Sequence, residues 1–173
     1  MTVDENKISN IIAELSLTDK ANVVTGHGMW TTRIIGDAGI PALTVTDGPN
    51  GARGAGLMGT GTPTACIPAG SVLGSTWNPT LMEELGVLLA EESIAKGAHV
   101  LLAPTINLHR NPLGGRNFEC YSEDPYLTGT LAAGYINGVQ SQHVAVTAKH
   151  FVANDSEFER NSCLLYTSDA ADE

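Results

Sequence analysis

Residues 78–103, NPTLMEELGVLLAEESIAKGAHVLLA, decide the fold. Asn78 offers a side-chain acceptor to the free N–H groups of a helix start. Pro79 suits the first helical turn, where its missing N–H costs nothing. Leu81, Leu85, Leu88, Leu89 and Ile94 recur at helical spacing and are the expected buried stripe; Gly97 supplies the stop. Ala98 to Ala103 then reads as a short, continuously apolar strand. A capped helix running straight into such a strand is the repeating piece of a parallel α/β fold.

The same alternation extends in both directions. Towards the N-terminus, Ala42 to Thr46 is a β-rich run that stops at Asp47-Gly48-Pro49-Asn50-Gly51, a strand ending in a tight loop. Ahead of it, Asp4 to Leu15 puts Ile8, Ile11, Ile12 and Leu15 on one helical face, and Leu17-Thr18-Asp19-Lys20 opens a second helix. A further apolar run covers Ile67 to Thr76. Towards the C-terminus, Asp124-Pro125 starts a helix carrying Leu127, Leu131, Tyr135, Ile136 and Val139, and Val144 to Ala148 is another strand ending at Lys149-His150-Phe151. Uninterrupted apolar strands mean that both sheet faces are covered. An open doubly wound sheet and part of a (β/α)8 barrel both satisfy the pattern; a complete barrel needs roughly 250 residues, so this chain would hold about its N-terminal half.

The chain has 173 residues and a formal net charge of −10, from 19 acidic and 9 basic side chains. That balance argues against nucleic acid as a partner, since phosphate binding needs clustered Lys and Arg. No apolar run approaches the roughly 18 residues of a membrane span, and the polar N-terminus carries no export signal, so a cytoplasmic protein without membrane association is expected. Cys66, Cys120 and Cys163 have neither a disulfide framework nor zinc-ligand spacing, and the histidines form no i, i+4 pair; no metal or organic cofactor is expected.

The polar signals gather just past strand ends: Asp47, then Arg110 and Arg116, then Lys149 and His150. Of the 9 basic residues, Arg53, Arg110, Arg116, Lys149 and Arg160 fall in or near these loops. Loops at the C-terminal ends of parallel strands build the ligand site in such folds. A neutral, hydroxyl-rich ligand such as a sugar needs a donor or acceptor for every hydroxyl removed from water. Asp47 can accept two hydroxyls, while Arg116 and Lys149 donate. Taken singly, each signal has a plainer reading: Asp47-Gly48-Pro49-Asn50-Gly51 as a turn, and Arg116 with Glu119, Glu123 and Asp124 as a structural ion-pair cluster. Gly54-Ala55-Gly56-Leu57-Met58-Gly59 matches the dinucleotide-binding pattern GxGxxG, but Gly61 and Pro63 forbid the helix that pattern must open.

Four stretches together resemble glycoside hydrolase family 3. They are Leu43 to Arg53, Ala69 to Pro79, Ala103 to Pro125 with its Arg116-Asn117-Phe118-Glu119, and Lys149-His150-Phe151-Val152-Ala153-Asn154-Asp155 with Glu159-Arg160. The resemblance implies a (β/α)8 barrel, and that Asp47, Arg116, Lys149, His150 and Arg160 bind the terminal non-reducing sugar. It implies a retaining exo-β-glycosidase acting on β-D-glucosyl residues, with β-xylosidase or α-L-arabinofuranosidase as the alternative within the family and a non-catalytic sugar-binding module outside it. The family's catalytic aspartate and acid/base lie beyond Lys149-His150 in motifs this sequence lacks, so residues 1–162 are expected to be the N-terminal part of a barrel and to be inactive alone. Residues 163–173 resemble the in-frame translation of a sequencing-library adaptor and are expected to be a non-native tail.

Overall fold

The computed structural model describes residues 4–54 and 63–162. The expected tail at 163–173 and most of the GxGxxG run lie outside the described residues. Two helices open the chain, α1 (Glu5–Glu14) and α2 (Leu17–Val23), capped by Asp4 and Ser16 side chains that accept from Lys7 and Asp19 amides. Strand β1 (Val45–Asp47) follows, then a short helix α3 (Gly70–Gly74). Helix α4 (Pro79–Ala95) leads into β2 (Val100–Leu102), and α5 (Pro125–Ser141) into β3 (Ala145–Val146).

The three strands form one parallel sheet in the order β1-β2-β3. Val45 pairs with Val100 and Val100 with Ala145, so sequence order and spatial order coincide, as in successive βα units of a barrel. The long helices start where expected. Asn78 accepts from the Leu81 amide at 3.1 Å and Asp124 from the Tyr126 amide at 2.8 Å, each followed by proline in the first turn. Gly97, at φ 70°, takes the left-handed stop.

Thr46 and Leu101, the middle residues of β1 and β2, are fully buried. Leu101 joins Met82 and Leu89 of α4 and Leu131, Tyr135 and Val139 of α5 in the main core cluster. Val45, Asp47, Val100 and Leu102 point to the opposite face and are only half-buried. This alternation places Asp47 on the sheet face away from the helices.

The buried stripe of α4 differs from the expectation. Leu88 and Ile94, expected inside, are 36% and 53% exposed, and the residues turned inward are Met82, Gly86, Leu89, Ala90 and Ser93. The cause is the partner helix. A Cβ on Gly86 would overlap the Tyr135 carbonyl, and one on Gly138 would overlap the Glu83 carbonyl. One on Gly134 would come within 2.5 Å of the Pro79 carbonyl. The helices therefore touch backbone to backbone along a strip of small residues, which a search for large apolar side chains passes over. Likewise α1 forms as expected, yet none of its residues is buried, and Ile8 and Ile12 are 46% and 51% exposed. Ile67 to Thr76 divides into an extended entry and the α3 helix.

Candidate functional site

Asp47 is the last residue of β1, and its loop turns straight back on it. The Gly54 amide donates to the buried Thr46 hydroxyl at 2.9 Å, and the Arg53 amide to the Asp47 carbonyl at 2.9 Å. Gly48, at φ 136°, has the Gly51 carbonyl where a Cβ would stand, so the turn closes only around glycine. The loop so folded returns the Arg53 side chain to Asp47, with Nη1 3.2 Å from Oδ2.

Lys149 reaches the same carboxylate from the other edge of the sheet. It lies three residues beyond β3 and is held against the chain after β2: its amide donates to the Pro104 carbonyl at 2.9 Å and its carbonyl accepts from the Ile106 amide at 2.8 Å. Its Nζ sits 2.6 Å from Asp47 Oδ1, with the two side chains 15% and 27% exposed. Each oxygen of Asp47 thus faces one cation. Burial pushes the Asp47 carboxyl up, but the hydrogen bond and charge of Lys149, followed by Arg53, more than reverse this and leave its pKa below the usual value.

His150 is fixed by Asn107. Its backbone amide donates to Asn107 Oδ1 at 2.8 Å, and Asn107 Nδ2 donates to its carbonyl at 3.3 Å. Burial lowers its pKa, and the positive charges of Arg116 and Lys149 lower it further, so the imidazole is neutral near pH 7.

Arg116 stands in a second cluster. Its Nε and Nη2 grip both oxygens of Glu119 at 2.7 and 2.8 Å, and Nη1 donates to Asn154 Oδ1 at 3.1 Å. Glu157 accepts from Asn154 at 2.5 Å and from Arg160 at 3.0 Å, and lies 3.8 Å from Arg116 Nη1. Arg160 itself is 58% exposed and joins Arg116 only through Glu157. The structural ion-pair reading of Arg116 therefore holds for Glu119. Asp124 instead caps α5. Arg110 pairs with Asp155 at 2.9 Å.

Of the five expected residues, Asp47 and Lys149 are in direct contact, Arg116 and Arg160 share Glu157, and His150 feels the charges of both groups. A cavity of about 510 Å3 is lined by Asn107, Arg110, Lys149, His150, Phe151 and Asp155, among others; Asp47, Arg116 and Arg160 do not line it. A larger one, about 720 Å3, lies between α1, α2 and residues 31–38 and contains none of the five. The chemistry favours the smaller cavity, because it adjoins the paired charges at the strand ends. Sequence reading placed Arg53 in the loop without assigning it to the site, and it did not single out Asn107, Asn154 or Glu157. Their types carry little signal alone; contact with Asp47, His150 and Arg116 distinguishes them.

The cluster is a set of ionised or strongly dipolar groups able to bind hydroxyls. Asp47 is held below the usual carboxylate pKa, as is Glu157 through Asn154 and Arg160, so neither is suited to donate a proton near neutrality. Among the described residues no group of three His, Cys, Asp or Glu side chains is placed to hold a metal ion, and no helix is long and apolar enough to cross a membrane.

Known proteins resemble this chain in sequence and in fold. The model of the glycosyl hydrolase family 3 N-terminal domain matches residues 2–169. The chain is 54% identical over 155 residues to a β-glucosidase of Rhizobium radiobacter, covering 90% of this chain and 19% of that protein. Among solved structures, the β-glucosidase of Kluyveromyces marxianus in complex with glucose superposes with a TM-score of 0.84 at 45% identity, over 87% of this chain and 18% of that one. The glucose complex of β-glucosidase 3B from Thermotoga neapolitana gives 0.79 at 40% identity, over 87% of this chain and 24% of that one. The chain thus spans about a fifth of the length of these relatives, and its parallel sheet and helices match the beginning of their TIM-barrel-like domain. Residue by residue and fold by fold, the chain belongs to glycosyl hydrolase family 3, within its N-terminal domain.

Proposed function

We propose that the complete polypeptide carrying this domain is a retaining exo-β-glucosidase, and that this chain supplies part of the wall that holds the terminal glucose. The observation that carries the reading is the approach of Lys149 Nζ to Asp47 Oδ1 at 2.6 Å, an acceptor and a donor side by side at the C-terminal end of the sheet. Asp47, freed from one cation, accepts two neighbouring hydroxyls of a pyranose. Lys149 and Arg116 donate to hydroxyl oxygens, and Arg160 adds a donor at the exposed rim. Neutral His150 offers a donor and an acceptor in the same ring.

Hydroxyl binding of this kind fixes the ring against the reacting groups; it does not break the glycosidic bond. Bond cleavage with retention requires two carboxyls about 5–5.5 Å apart, one a nucleophile and one an acid/base. Asp47 and Glu157, both held ionised here, do not suit the acid/base role, and each oxygen of Asp47 is already engaged by a cation; the reacting pair is assigned to other parts of the complete polypeptide. The relatives support glucose as the sugar, since two of them are described as glucose complexes.

The test is turnover of matched aryl β-D-glucoside, β-D-xyloside and α-L-arabinofuranoside by the complete polypeptide, with the anomer of the first product followed by NMR. A preference for the glucoside with β-glucose released first is expected. A preference for either pentoside, or release of α-glucose first, overturns the reading.

A further inference from the structure

Lys96, at the C-terminal end of α4, is the most buried cation among the described ion pairs: its side chain is only 5% exposed. Its Nζ donates to the Ala52 carbonyl at 2.6 Å and to Glu92 Oε2 at 3.0 Å. Glu92, one helical turn earlier, also accepts from the Thr64 hydroxyl. The aliphatic stem of Lys96 lies under Gly54, where a Cβ would come 3.3 Å from its Cδ.

These contacts fall on both sides of one segment. Ala52 precedes Arg53, and Thr64 and Ala65 resume the chain towards Ile67, whose amide returns to the Asn50 carbonyl at 3.0 Å. A single i, i+4 ion pair on α4 therefore ties the outgoing and incoming arms of the β1 loop to the helix. The outgoing arm carries the groups that set Asp47: the Arg53 amide on the Asp47 carbonyl and Arg53 Nη1 on Oδ2. A buried lysine whose ammonium is spent on a main-chain carbonyl is an expensive way to hold a loop, because desolvating the charge must be offset by hydrogen bonds. An apolar side chain would fill the same volume and leave the Ala52 carbonyl without a donor.

Resting on the proposed sugar-binding role of Asp47, we propose that Lys96, with Glu92, is a positioning residue for the substrate site: it fixes Ala52 and thereby the Arg53–Asp47 pair. The experiment uses the complete polypeptide and the variants K96M and E92Q. K96M keeps the stem and removes the donor; E92Q keeps the shape and weakens the link to Thr64. Two readouts are taken on folded protein: hydrogen exchange of amides 47–54, and KM and kcat on the aryl β-glucoside.

Exchange of the Arg53 and Gly54 amides is expected to accelerate at least about tenfold in K96M, while amides in the middle of α5 keep their wild-type protection. KM is expected to rise about tenfold or more with a smaller fall in kcat, the pattern of a displaced binding group. E92Q gives the same pattern in weaker form, and it carries the test if K96M does not fold. Wild-type protection of amides 47–54 in a folded variant overturns the proposal, as does faster exchange with unchanged KM. Failure of the wild-type protein to turn over any glycoside instead overturns the proposed function, and the exchange data then still report whether Lys96 holds the loop.

Discussion

Lys149 and Asp47, 102 positions apart in the chain, meet at 2.6 Å across a three-stranded parallel sheet. Neither is placed by its neighbours in sequence alone. Asp47 stands where β1 ends, and Lys149 where the chain beyond β3 pairs with Pro104 and Ile106. Their contact depends on the register of all three strands.

Asp47→Asn removes the charge and leaves Lys149 and Arg53 facing an amide. Loss of charge-assisted bonds to two hydroxyls lowers kcat/KM of the complete polypeptide on an aryl β-glucoside by about 100-fold or more. Because the pair is only partly buried, the stability loss is about 1–2 kcal/mol. Steady-state kinetics and urea unfolding measure the two separately; wild-type kcat/KM removes Asp47 from the site.

The same carboxylate predicts an acid limb. Its folded-state pKa lies below that of the unfolded chain, so its contribution to stability is fully present above about pH 4, the ordinary aspartate value, and is lost as pH falls through the lower folded value. The difference in melting temperature between wild type and Asp47→Asn should therefore be constant from pH 5 to 7 and shrink below about pH 4.

His150 shifts in the opposite sense of charge. Its folded pKa is depressed below 6.5, so the folded state resists protonation and stability declines as pH falls below that unfolded value. An NMR titration should find the His150 midpoint under 6.5, and Arg116→Met should raise it, since one repelling cation is gone. A midpoint unmoved by that substitution removes Arg116 as a cause and leaves burial and Lys149 to set it.

Gly138→Ala tests the helix interface. In an exposed helix the change gains about 1 kcal/mol. Here the new Cβ would overlap the Glu83 carbonyl, so α4 and α5 must separate, and a net loss of about 2–3 kcal/mol is expected in denaturant unfolding. Gly129→Ala on α5, with nothing within 4 Å of its Cβ position, should be neutral or stabilising and serves as the control.

The sequence alone determined the parallel α/β character, the caps Asn78 and Asp124, the stop at Gly97 and the family, because caps, turns and apolar strands are local patterns written within a few residues. The expected residues Asp47 and Lys149 were legible as loop residues following strands. Tertiary structure decided which of them touch. It set Arg53 and Lys149 on the two oxygens of Asp47, gave Arg116 to Glu119, and left Arg160 exposed and paired with Glu157. It also turned α4 so that Gly86 and Ala90, rather than Leu88 and Ile94, face the core. The reason is physical: a helix shows its apolar spacing without its partner, but how closely two helices approach depends on the small residues of both. In the same way a charge shows its sign in the sequence, and only the register of three strands determines which charge stands opposite it.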